Sequence, residues 1–147
     1  MLKIYPPVYF LIFALLMLLS DLWFPLISCE PSPYLATFFL VLGLAIDLIA
    51  LNTIFRLKTT FNPFKIEQTS TLATTGLYKY SRNPMYLGSL LILIAWFFCL
   101  GSFSPIIWLI VYIWWLTKVQ ILREEQLLLE IFGDQYTDYQ QSVSRWL

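Results

Sequence analysis

The sequence contains no histidine. That removes imidazole acid–base catalysis, histidine-ligated metals and every Ser–His or Cys–His nucleophile pair. Cysteine is nearly absent. Cys29 and Cys99 stand alone, which is too few ligands for a zinc site, so no metal is expected. Charge is scarce as well. Only 12% of residues are charged, against roughly 25% in a soluble globular domain, so there is too little polar surface to cover a water-facing body. Nine basic and nine acidic residues cancel, leaving no electrostatic footprint for nucleic acid.

What is present is apolar: 59% of 147 residues. Four stretches reach or approach the ~20 residues that cross a bilayer, at roughly 8–27, 34–55, 85–100 and 105–119. The last two are short and share the connection Gly101-Ser102-Phe103-Ser104, which predicts a tight helical hairpin. The expected fold is all-α: one integral-membrane domain over residues 1–147 with about four transmembrane helices. Residues 56–84 form the only long polar loop and 120–147 a C-terminal helix and tail. A loop of that length usually carries function, and Asn62-Pro63-Phe64 marks a turn within it.

All nine basic residues fall on one side of this map. Lys3 precedes the first span; Arg56, Lys58, Lys65, Lys79 and Arg82 lie between spans two and three; Lys118, Arg123 and Arg145 lie at or beyond the end of span four. The positive-inside rule then makes both termini and the 56–84 loop cytoplasmic, in a multi-pass protein of the inner membrane if the source is bacterial. Asp21, Trp23 and Pro25 interrupt the approach to Cys29, so the first span is expected as a retained helix and not a cleaved signal. The two cysteines are expected to be unpaired.

Three local patterns bear on chemistry. Asn83-Pro84 reads as an N-cap followed by proline at the first helical position, which starts span three with free backbone N–H groups that attract anions. Span four runs on in helical pattern to Phe132 and stops at Gly133. That is a helix of ~42 Å against a hydrocarbon core of ~30 Å, so its last turns project from the membrane. Gln120 and Glu124 share a face there, whereas Glu124 and Glu125 point to different sides. Asp47 lies midway through span two, where a charge is expensive. Asn52, Ser89 and Thr117 are its candidate partners, and it is left outside the site.

Read together, the ordered motifs carry a resemblance. Gly76-Leu77-Tyr78, then Arg82-Asn83-Pro84-Met85-Tyr86-Leu87-Gly88, a hairpin, Glu124-Glu125, and Phe132-Gly133 followed by Tyr136 and Tyr139 resemble the membrane-bound isoprenylcysteine carboxyl methyltransferase and phospholipid methyltransferase superfamily. The resemblance implies S-adenosylmethionine as methyl donor. It implies a cofactor site lined by Tyr78, Asn83, Pro84, Met85, Tyr86 and Glu124, with Ser70, Thr71, Leu72 and Ala73 as a neighbouring strip. Glu125, Arg123 and Gln120 are then the catalytic, acceptor-handling candidates.

Two positions depart from the family pattern. Asn83 replaces a histidine, and Gln120 stands where the carboxyl methyltransferases carry an arginine. The expected function is a methyltransferase for a lipophilic or lipid acceptor, similar to isoprenylcysteine carboxyl methyltransferase. A phospholipid amine N-methyltransferase and a non-catalytic four-helix membrane subunit are the alternatives.

Overall fold

A computed structural model describes residues 5–57 and 71–147. Lys3, Lys58, Lys65, the Asn62-Pro63-Phe64 turn and Ser70 lie outside the described residues. Helices α1 (Pro6–Trp23), α2 (Pro33–Arg56), α3 (Pro84–Cys99), α4 (Ile106–Trp115), α5 (Leu122–Phe132) and α6 (Asp134–Ser142) follow in order. A short 3-10 turn at Gly76–Lys79 precedes α3, and a π-helical stretch at Leu116–Ile121 joins α4 to α5. No strand occurs among the described residues beyond an isolated bridge between Ser28 and Ser102.

Proline opens the first three helices, at a position where its missing N–H costs nothing. Tyr9, Phe13 and Met17 recur every fourth residue on α1 and are its buried stripe. The stripe packs on α3 and α4, with Phe13 meeting Tyr112 edge-on at 5.2 Å. Trp96 is held inside by a bond from its Nε1 to the Ala14 carbonyl, 3.1 Å. On α2 three of the four buried positions are small, Ala36, Gly43 and Ala50 at seven-residue spacing, and the fourth is Ile54. Small residues let backbones close together where hydrocarbon gives no hydrophobic drive, and α2 accordingly lies along α3 as the most extensive helix pair. The outer faces of α1 and α2 carry exposed Leu11, Leu15, Phe38, Val41, Leu44 and Leu48, a surface suited to acyl chains.

Among the described residues three helices are long and apolar enough to cross a bilayer: α1, α2 and the continuous Ile106–Phe132 rod. Helix α3, expected as a fourth span, has 16 residues, short of the ~20 that reach across. The α3–α4 hairpin turns at residues 100–105, where Ser102 donates to Asp21 at 2.6 Å and shares a hydrogen bond with Ser104. Cys29 and Cys99 are free.

The rod contains one feature absent from the sequence pattern. Residues 116–121 wind with the wider π repeat, a form found mostly as single bulges at functional sites. Thr117, its second residue, is bonded to the Ile113 carbonyl and receives the Trp146 indole N–H at 3.2 Å. The rod ends at Gly133, whose φ of 53° and ψ of −126° suit glycine alone. The chain reverses there into α6.

Candidate functional site

A cavity of about 650 Å³ opens between α1, α2, the start of α3, α5 and α6, within the ~300–1,000 Å³ of small-molecule sites. Its walls are mostly apolar, and its polar groups come from segments far apart in the chain. The 3-10 turn supplies Tyr78, the start of α3 supplies Asn83 through Tyr86, α5 supplies Glu124 and Glu125, and α6 supplies Tyr136 and Tyr139.

Glu124 and Glu125 face different partners. The Tyr86 hydroxyl donates to Glu124 Oε1 at 2.7 Å, and the Gln120 amide donates to the same oxygen from one turn back. No ion pair reaches Glu124 among the described residues. Glu125 is buried and doubly paired: Arg82 reaches Oε1 at 3.0 Å, while Arg145 holds both oxygens at 2.9 and 2.8 Å. A carboxylate clamped by two guanidiniums ties α5 to the start of α3 and to the tail.

Asn83 occupies the N-cap position of α3, but its side chain does not cap. It turns away, and its Nδ2 donates to the Arg145 carbonyl at 3.0 Å. Its own N–H is taken by Ser81 Oγ at 3.1 Å, and Arg82 N–H bonds the Ser144 carbonyl at 3.0 Å. The tail at 144–146 is thus laced to the start of α3, to Glu125 and, through Trp146, to the π stretch.

Tyr139 donates to the Tyr78 carbonyl at 2.6 Å, fixing the 3-10 turn on α6. Burial, and after it the Glu124 and Asp47 charges, pushes the Tyr78 phenol up. Tyr139 is raised mainly by burial. Tyr136 is pushed up to about 12 by burial and then by the Glu125 charge. All three are therefore hydrogen-bond donors at neutral pH and not bases.

Of the residues expected in the site, Thr71, Leu72, Ala73, Tyr78, Asn83, Pro84, Met85, Tyr86, Glu124 and Glu125 line this cavity. Gln120 is buried off the cavity wall and meets it through its bond to Glu124. Arg123 is exposed and is not on the cavity wall. Asp47, left out on sequence grounds, is on the wall, with Oδ1 buried and without a hydrogen-bond partner among the described residues. Ser89 and Thr117, two of its expected partners, bond elsewhere. Arg145 lies 20 residues from Glu125, and no local pattern marks it as a partner. No group of His, Cys, Asp or Glu suited to a metal ion occurs among the described residues.

Comparison with known proteins gives these side chains a context. The sequence model of the phospholipid methyltransferase family matches residues 32–135. An uncharacterized protein of Haemophilus influenzae is 46% identical over 63 residues, which is 43% of this chain and the whole of that protein. The protein-S-isoprenylcysteine O-methyltransferase of Schizosaccharomyces pombe is 32% identical over 72 residues, 49% of this chain but 30% of the fission yeast protein. No solved structure matches the chain significantly.

Proposed function

This chain belongs to the phospholipid methyltransferase family, and from that premise we propose that it transfers a methyl group from S-adenosylmethionine to a lipophilic acceptor at the inner face of a membrane. The observation that carries the reading is the pairing of Tyr86 with Glu124 inside the cavity. It leaves a carboxylate held only by neutral donors, in a space of small-molecule size.

The residues fit a cationic, nucleotide-like donor. When bound, S-adenosylmethionine supplies an electrophilic methyl on a sulfonium. Glu124 offers a counter-charge that no arginine has already neutralised, and Tyr86 and Gln120 fix the direction of its oxygen. Arg82, with a buried Nε lacking a partner among the described residues, and the uncapped start of α3 suit the donor's carboxylate. Tyr78 offers an aromatic face.

The chain's remaining work is positioning and exclusion of water. The Glu125–Arg82–Arg145 tie holds α5 against the start of α3. Apolar residues of α1 and α2 wall the other side: Phe10, Leu48 and Leu51. They suit an acceptor that arrives with its acyl portion in the bilayer.

The test is to reconstitute the protein in lipid with methyl-labelled donor and a total lipid extract. Label in an extractable lipid is the expected result. No labelled lipid from a folded, donor-binding protein contradicts the reading.

A further inference from the structure

Asp47 is a carboxylate that the motif residues do not explain. It lies on the α2 wall of the cavity that Glu124 of α5 also lines. Its Oδ1 is buried without a hydrogen-bond partner among the described residues. A carboxylate left bare in an apolar surrounding is costly, and here the backbone is shaped to admit it. A Cβ on Gly88 would overlap the Asp47 carboxyl group, and a Cβ on Gly43 would come within 2.8 Å of the Gly88 carbonyl. Two glycines thus let α2 and α3 close around this side chain.

The charges on the cavity wall, taken with Arg145 that bonds Glu125 from outside it, form an uneven set. Glu125 with Arg82 and Arg145 sums to one positive charge. Glu124 and Asp47 each add a negative charge that no ion pair neutralises among the described residues. S-adenosylmethionine carries the complementary set: a sulfonium, an ammonium and a carboxylate. Glu124 adjoins the arginine cluster in sequence, so it belongs with the amino-acid end of the donor. Leu48 lines the same cavity and is 67% exposed on the apolar outer face, so the α2 wall that carries Asp47 is the end nearest the bilayer. A methyl group bound for a lipid must sit at that end.

Resting on the donor reading above, we propose that Asp47 is a second cofactor-binding carboxylate, the counter-charge to the donor's sulfonium. The sulfonium loses its charge as the carbon–sulfur bond breaks, so Asp47 holds the ground state at least as strongly as the transition state. Its contribution is to affinity for the charged donor and not to the rate of the chemical step.

The test measures equilibrium binding of two ligands to the full chain in lipid nanodiscs. S-adenosylmethionine carries the sulfonium; S-adenosylhomocysteine lacks the methyl and is neutral at sulfur but keeps the ammonium and carboxylate. Asp47→Asn should weaken the charged ligand by roughly tenfold or more and leave the neutral one within about twofold, collapsing the preference between them. Retained binding of the neutral ligand also reports that the variant is folded. Asp47→Ser gives the same comparison if Asp47→Asn does not fold. Equal weakening of both ligands, or an unchanged preference, overturns the assignment of Asp47 alone. A wild-type protein that binds neither ligand overturns the donor reading and this proposal together.

Discussion

Tyr86 and Glu124 are 38 residues apart in the chain, and the phenol of one donates to the carboxylate of the other at 2.7 Å. The bond ties the first turn of α3 to the first turn of α5 and forms the floor of a cavity that α1, α2 and α6 complete. Between the two residues lie the hairpin and the π stretch. A helical rod of a fixed 3.6-residue repeat would present a different face of α5 to α3, because the wider π turn shifts the phase of everything after it.

Glu124→Gln removes the charge while keeping the shape and an acceptor oxygen for Tyr86. Affinity for S-adenosylmethionine should fall by roughly tenfold or more, the scale for loss of a buried charge partner. Thermal unfolding in detergent should shift little. Calorimetric binding on wild type and variant checks both halves.

Glu125→Gln should behave differently. It leaves Arg82, whose side chain is 9% exposed, without its carboxylate, and breaking a buried pair by removing one partner costs about 3 kcal/mol or more. Stability should drop first, together with protection of the tail at 144–146 in hydrogen exchange. A variant of wild-type stability that lost only turnover would restore Glu125 to a direct chemical role.

Gly88→Ala places a methyl group against the Asp47 carboxyl group and the Gly43 carbonyl. Relieving that overlap must push α2 from α3, at a cost of about 1–3 kcal/mol. Loss of donor affinity should accompany it. Gly133→Ala has open space around its Cβ but a positive φ, so it should strain the α5–α6 break without closing the cavity.

The tyrosines set an alkaline limit. An unfolded chain releases its phenolic protons near pH 10, whereas Tyr136 is held up to about 12 and Tyr78 and Tyr139 are also raised. Folded pKa values above unfolded ones mean that stability is fully present below pH ~10 and is lost as pH rises through the folded values. Absorbance titration of tyrosinate should show a late-ionising class, and unfolding should become easier only above pH ~10. Normal titration of every tyrosine would contradict the burial of these three.

Much of the architecture was legible because membrane helices are written in length and apolarity. Pro84 marks the start of α3, and Gly133 the end of the rod. The four-residue spacing of Gln120 and Glu124 puts their side chains in contact, as helical geometry requires. Other features depend on tertiary contacts that no local pattern carries. Asn83 has the residue type of a cap, but a tail carbonyl 62 positions away takes its amide. Asp47, expected outside the site, is a cavity-lining carboxylate because Gly88 and Gly43 leave it room. The π stretch is fixed in part by Trp146 reaching Thr117 from 29 residues beyond.

The most direct measurement of the central claim is a photo-crosslinking map of a labelled S-adenosylmethionine analogue on the full chain in lipid, read by mass spectrometry of the adducts. The account predicts adducts within 71–86 and around 120–125, competed by unlabelled donor and lost together in Glu124→Gln. Adducts confined to other segments, or specific labelling that persists undiminished in that variant, would contradict it.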